Sequence, residues 1–294
     1  MFTEQHFDSV AHVGSARSVL VVAHPGHELR VHGWLEIARP IVCVITDGSG
    51  RTKHSRIDST TVVLEAAGCA IGPIYGVMTD QDLYAAMLDF DHAPFIRIVD
   101  RLAAMMLAEE IEYVAGDAEE GYNPAHDVCR LMVNAAVAIA NRAREEPVKN
   151  FDFTLIGPAA NCVGVERSRT IYLQLEKEAL ARKLAAARNY PELKAEVEAA
   201  LDGAGSVGSQ QHPDLAHRVG LSFAAVSPGE FAVECLRPVE SDFALPARSA
   251  ADTSFYELYG EKQVSAGHYT RVLRFCEHML PLAAAIKSHV EKNT

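Results

Sequence analysis

No stretch of the chain approaches the roughly 18–20 consecutive apolar residues that a membrane-spanning helix needs. The longest apolar run, around Met279 to Ile286, is short and contains a proline, so no bilayer span is expected. The first 18 residues carry two acids and no uninterrupted apolar stretch, unlike a secretory signal peptide, which sets the expectation of a cytoplasmic protein. Basic side chains are scarce: 27 stand against 39 acidic ones in 294 residues, for a net charge of −12. Neutralising phosphates needs clustered Lys and Arg, so nucleic acid drops out as an expected partner. The cysteines, at 43, 69, 129, 162, 235 and 276, include no C-x-x-C pair, and their wide spacing fits reduced thiols better than a disulfide framework or a zinc knuckle. The glycine-bearing loop from Thr46 to Arg51 lacks the G-x-G-x-x-G or G-x-x-x-x-G-K-[ST] spacing of nucleotide sites. No internal repeat and no low-complexity tract is present. What remains, 49% hydrophobic and 22% charged residues, is the composition of a globular protein able to bury a full core, as one large domain or two modest ones.

Ser18-Val-Leu-Val-Val-Ala23 is a short β-branched and aliphatic run closed by His24-Pro25-Gly26, which reads as a strand buried on both faces. Pro40 to Ile45 reads as a second such strand, and residues 59 to 68 as a helix with a glycine stop. A third strand is expected over Ala70 to Val77, a helix from Pro94 to Glu110, a strand at Ile111 to Ala115, a helix from Asp127 to about Arg144 and a strand at Phe153 to Ile156. Strands alternating with helices imply an α/β fold: a Rossmann-like, mainly parallel sheet with helices on both faces. Residues 1–165 form this core in the expected division. Residues 166–294 form a helix-rich C-terminal extension, with helices over Tyr172 to Leu201 broken at Tyr190-Pro191, a flexible connector at Gly203 to Gln211, a strand at Phe231 to Cys235 and a terminal helix from Gly267 to His289. The apolar stretch Met279 to Ile286 in that last helix fits either core or a subunit interface, so a homo-oligomer stays open.

Ligands of such sheets bind beyond the carboxyl ends of the strands. Three loops, 24–28, 46–56 and 116–127, should therefore surround one site. His24 and His27 sit three apart in the first, and two imidazoles so spaced suit one Zn²⁺; polar loop residues making local hydrogen bonds would look the same. The third loop holds Glu119-Glu120-Gly121-Tyr122 and His126-Asp127, where Asp127 reads equally as a helix N-cap and as a ligand. Together the loops offer two His and one carboxylate, a common catalytic zinc set with one open position. His212 and His217 have metal-like spacing but follow the connector, and Cys162 has no evident base near it in sequence.

Val21-Val-Ala-His24-Pro25-Gly26-His27-Glu28 resembles the A-H-P-D-D-E signature of the PIG-L (LmbE-like) metal-dependent deacetylases, which remove N-acetyl groups from glucosamine-containing substrates. Thr46-Asp-Gly-Ser-Gly50, Arg56 and Gly121-Tyr122 ahead of the His126/Asp127 pair extend the resemblance over about residues 18 to 165, and Phe255 to Glu261 is more loosely similar. The resemblance implies His24 as the first metal histidine, His27 in place of the family's ligating aspartate, and Asp127 in place of its second ligating histidine. The two ligand types are thus exchanged while their sum is kept. Gly26 stands where the family has its general base, and the substitutes within reach are His126, Glu28 and Glu120. His126 reads equally as a partner orienting Asp127. Tyr122 matches a tyrosine that polarises the acetyl carbonyl and Arg56 a substrate-binding arginine, while Asp47 in the turn beside them is a further substrate-binding candidate that reads also as an anchor of that turn.

These features lead to the expectation of a metal-dependent hydrolase, a zinc amidohydrolase that deacetylates an N-acetylated amino sugar or a related small acylamide. Iron and cobalt are the alternative ions. The competing expectation, which Gly26 motivates, is a non-hydrolytic homologue that binds a sugar or metabolite; a third keeps the metal for a glycoside or ester hydrolysis.

Overall fold

The computed structural model describes residues 13–50, 52–157, 159, 169–201, 228–239 and 253–292. Among these residues seven strands form one sheet in the order β3-β2-β1-β4-β5-β7-β6. Strands β1 (Ser18–Val22), β2 (Ile41–Thr46), β3 (Ala70–Met78), β4 (Tyr113–Asp117) and β5 (Lys149–Phe153) run parallel. The edge formed by β7 (Val233–Pro238) and β6 (Ile171–Gln174) is antiparallel. The chain winds outward from β1 through β2 to β3 and then returns to the other side of β1 with β4. That reversal opens a crevice at the carboxyl ends of β1 and β4.

The two faces of β1 explain its unbroken apolar run. Val19 and Val21 face α4 (Ala93–Ala108), α5 (Pro124–Arg142) and α9 (Leu280–Lys292), whereas Leu20 and Val22 pack with Trp34 and Leu35 of α1 (His32–Ala38) and with Leu64 of α2 (Ile57–Ala67). Helices therefore cover both faces, and the α/β architecture is the one the pattern of strands and helices implies. Leu282, Ala283 and Ile286 of the apolar C-terminal stretch are fully buried in the first of these cores. Among the described residues no helix is long and apolar enough to cross a membrane, and Cys43, Cys69, Cys129, Cys235 and Cys276 are free thiols.

Several boundaries differ from expectation for identifiable reasons. Helix α5 begins at Pro124 with Asn123, not Asp127, as its N-cap: the Asn123 side chain accepts from the Ala125 amide, and proline suits the first helical position. Strand β5 lies at 149–153 rather than 153–156, because Asp152 in its middle is paired with Arg237 of the antiparallel neighbour at 2.6 Å, and that charge breaks the apolar run. Residues 171–174 form β6 rather than the start of a helix. Beyond it α6 (Lys177–Arg188) and α7 (Lys194–Leu201) flank the expected break at Tyr190-Pro191. The terminal helix starts later, at Leu280, after a π-helical turn at Phe275–Met279. Helix α3 (Asp80–Leu88), capped by a Thr79/Asp82 box, and α8 (Phe255–Ser265), capped by Ser254 and Glu257, complete the set. The connector 203–211, His212, His217 and Cys162 lie outside the described residues.

Candidate metal centre at the carboxyl ends of the first and fourth strands

After β1 the chain turns sharply through His24-Pro25-Gly26. Gly26 has φ +104°, a conformation that side chains with a Cβ rarely adopt, and it starts a 3-10 turn over His27–Val31. The turn brings His24 and His27 face to edge, with ring centroids 5.3 Å apart. The third ring comes from the first turn of α5. His126 lies 4.6 Å from His27 and 5.3 Å from His24, so three imidazoles meet at the sheet reversal. Asp127, one position on, accepts through Oδ1 from the amides of Glu120 and Gly121 and closes the loop before α5.

Two carboxylates stand behind the rings. Asp117, at the end of β4 and fully buried, has oxygens 2.9 and 3.0 Å from His27 Nδ1, and its Oδ2 also accepts from the Ala23 amide at 2.7 Å. Asp80, at the start of α3, places Oδ1 3.0 Å from His24 Nδ1, and its Oδ2 accepts from the Gly50 amide. Thr46 Oγ1 lies 2.8 Å from the same His24 nitrogen. Neither aspartate stood out from the sequence, although both stand at the carboxyl ends of strands, where site residues concentrate. Burial alone would raise the Asp80 carboxyl, but the contacts from His24, Thr46 and the Gly50 amide outweigh it and hold that carboxyl well below the usual range. Burial lowers His27 despite Asp117, and it holds His126 well below the ordinary imidazole value, with His27 and His24 adding to the effect. His27 and His126 are therefore neutral near pH 7, the form in which imidazole binds a metal ion.

Among the described residues no three His, Cys, Asp or Glu side chains are spaced to grip an ion as they stand, so an ion shared by the three rings requires them to turn. The donor chemistry nevertheless fits one. His126 Nδ1 is buried with no hydrogen-bond partner, an orphan that a cation would satisfy. The other two rings are backed by carboxylates, as metal-binding histidines usually are.

The candidate bases are engaged away from the rings. Glu28 is fully buried; one oxygen accepts from the Gly26 amide at 2.7 Å and the other from Thr60 Oγ1 at 2.8 Å, and Thr60 in turn meets the Tyr190 hydroxyl at 2.9 Å. Burial raises Glu28 to about 7. Glu120, likewise raised to about 7 by burial, spends both oxygens on the amides of Leu155 and Ile156. A Cβ at position 26 would lie 2.6 Å from Leu193 Cδ1 and 3.8 Å from Tyr190 Cζ, so the segment after α6 closes over the place a side chain there would occupy.

Tyr122 stacks on Phe255 at 4.9 Å and lies 6.4 Å from the His126 ring. The Phe255 amide donates to the Gly121 carbonyl, so α8 fixes this wall of the site. Arg56 donates through Nε to the Gly48 carbonyl at 2.7 Å, and its charge reaches both His27 and Glu28. Asp47 accepts from the Ser49 amide and serves its turn.

No protein-family model matches the chain, and no curated protein does. Among solved structures, the conserved protein TT1542 from Thermus thermophilus is similar at 16% identity and a TM-score of 0.44, over 80% of this chain and 100% of that one. The zinc-inhibited form of teicoplanin deacetylase Orf2 is similar at 11% identity and a TM-score of 0.44, over 77% of this chain and 100% of that one. At this distance neither likeness carries an argument about chemistry.

Proposed function

We propose that this protein is a metal-dependent hydrolase that cleaves a small acylamide, with N-acetylated amino sugars as the first substrates to test. The observation that carries the reading is the meeting of three imidazoles at the sheet reversal, two of them backed by buried or nearly buried carboxylates. In this reading His24, His27 and His126 hold the ion, and zinc is the first choice because imidazole suits it. A divalent ion there would supply Lewis acidity to a water and to an acyl carbonyl. Tyr122, beside His126, donates its phenol proton to the oxygen on which charge develops, an interaction strengthened where water is excluded. Arg56 faces the His27 side of the site and holds the polar end of the substrate.

The ligand set differs from the one expected from the motif by a single residue. Of the two adjacent residues the ring contacts favour His126, which packs against both other imidazoles, whereas Asp127 Oδ1 is held by the loop amides of Glu120 and Gly121. Metal content per chain tests this. The wild type and Asp127→Asn, which keeps the oxygen that accepts from the loop amides, should each carry close to one ion, and His126→Ala should lose it. An ion retained in His126→Ala, or lost only in Asp127→Asn, would overturn the assignment.

A second reading has its own support. Position 26 carries no base, and Glu28 and Glu120 have both oxygens engaged elsewhere. A non-hydrolytic protein that binds a sugar or metabolite at the same centre accounts for this. Acetate release from N-acetylglucosamine derivatives by the zinc-loaded protein separates the two: turnover sustains the hydrolase, and saturable sugar binding without turnover sustains the binder.

A further inference from the structure

We propose that Asp117 positions His27, and Thr46 with Asp80 positions His24, in the Nδ1–H tautomer, which leaves Nε2 as the lone-pair nitrogen of both rings for a cation toward which they turn, as the unpartnered Nδ1 is on His126. The proposal takes its purpose from the metal-site reading above, but the tautomers are a property of the chain itself.

The argument is a count of hydrogens. Thr46 has one hydroxyl proton, and its oxygen lies 3.0 Å from the Ala23 carbonyl, a group that can only accept. That proton has only acceptors to go to, the Ala23 carbonyl or the Asp80 carboxylate, so Thr46 Oγ1 accepts from His24 Nδ1, 2.8 Å away, while Asp80 Oδ1, 3.0 Å from the same nitrogen, adds its negative charge. The hydrogen of a neutral His24 ring therefore sits on Nδ1. His27 Nδ1 faces two carboxylate oxygens at 2.9 and 3.0 Å, and one of them already takes the Ala23 amide hydrogen, so the ring nitrogen must donate here too. A neutral imidazole with hydrogen on Nδ1 has its lone pair on Nε2. His126 lacks any such anchor at Nδ1.

Asp117 is itself held. Its backbone carbonyl accepts from Arg130 Nε at 2.7 Å, and Arg130 also donates to Asn150 Oδ1 and the Phe151 carbonyl. Arg130 lies one turn beyond His126 on α5, so one buried guanidinium fixes the helix that carries the third ring relative to the strand end that orients the second.

The experiment is long-range proton–nitrogen NMR on metal-free protein labelled with ¹⁵N-histidine, at a pH where imidazole is neutral, with signals assigned through single His→Gln replacements. The wild type should show the Nδ1–H tautomer at His24 and His27. Asp117→Asn can turn its amide nitrogen toward the ring, so His27 should shift toward Nε2–H while His24 stays unchanged, and zinc affinity should fall on the order of 10- to 100-fold. Asp80→Asn should shift the His24 tautomer less than Asp117→Asn shifts that of His27, because Thr46 still accepts from His24 Nδ1. A merely structural role for these carboxylates would not move the tautomer. Nε2–H at either ring in the wild type overturns the proposal even if the variants fail to fold, and so does an Asp117→Asn protein with unchanged tautomer and unchanged zinc affinity. Correct tautomers in a wild type that binds no zinc would leave this inference standing and overturn the metal-site reading instead.

Discussion

Adding a side chain at position 26 probes both the shape of the site and its missing base. Gly26→Ala meets two penalties. At φ +104° a residue with a Cβ is strained by about 1–2 kcal/mol, and a Cβ 2.6 Å from Leu193 Cδ1 adds an overpacking cost of roughly 1–3 kcal/mol. Leu193 sits in a small cluster with Leu29, Val63 and Tyr190, so it can give way only by losing those contacts. The single variant should therefore lose about 2–5 kcal/mol, and in a Leu193→Ala background the same change should cost only the backbone part, about 1–2 kcal/mol. The remaining neighbour, Tyr190 Cζ at 3.8 Å, is at ordinary contact distance. Urea unfolding of the four proteins of the cycle measures the coupling directly. A penalty for Gly26→Ala that is the same with and without the Leu193 side chain would refute the claim that this side chain occupies the space. The cycle also decides how a base should be restored: Gly26→Asp alone should be unstable and inactive, and Gly26→Asp with Leu193→Ala is the combination in which added acetate release would be meaningful.

Three further outcomes follow from buried charges. Lys183 and Glu234 form an ion pair at 2.8 Å, both nearly fully buried, and Glu234 also accepts from the Gly33 and Trp34 amides at the start of α1; Lys183→Met should cost roughly 3–5 kcal/mol, and a loss below about 1 kcal/mol in urea unfolding would contradict that. Burial raises Glu120 above its ordinary 4.5 to about 7, so its contribution to stability is full below about pH 4.5 and is lost as pH rises through about 7, up to about 3 kcal/mol; Glu120→Gln should flatten the unfolding midpoint between those values, and an unchanged pH slope would refute it. Thr60→Val leaves one Glu28 oxygen and the Tyr190 hydroxyl without their shared partner, at a cost of about 1–3 kcal/mol, whereas a neutral effect would mean that the chain of hydrogen bonds behind Gly26 contributes nothing.

The parallel core was legible because its strands are buried on both faces: β1 and β2 read as continuous apolar runs, and turn residues closed them. Strand β5 was misplaced because its Asp152 answers a charge on β7, more than 80 residues away in sequence, and α3 was missed because its first turn, Asp80-Gln-Asp82, is polar. The three histidines were all visible, and so was the convergence of their loops, since both loops leave carboxyl ends of strands. The proposed choice of His126 over Asp127 as the third ligand was not, because it rests on ring contacts that α5 makes from its start at Asn123 rather than Asp127.

Asp80 and Asp117 were harder to read for a different reason. A ligand histidine is chemically conspicuous, whereas the carboxylate that orients it is any acidic residue that the fold happens to bring behind the ring, here 56 and 90 positions away from its partner. The physics still limits where such partners can stand. A buried carboxylate needs donors, and strand ends at a sheet reversal supply both unpaired amides, such as those of Ala23 and Gly50, and the imidazoles of the neighbouring loop. An acidic residue in the last position of a buried strand, or just after it, is therefore better assigned to the site than to solvent. Applied to this chain, that rule selects Asp117, which ends β4, and Asp47, next after β2, which the structure assigns to its own turn; Asp80 escapes it, two positions after the partly exposed edge strand β3. The rule thus narrows the search to strand ends without completing it, and only the side-chain geometry tells the carboxylates behind a ring from those that hold a loop.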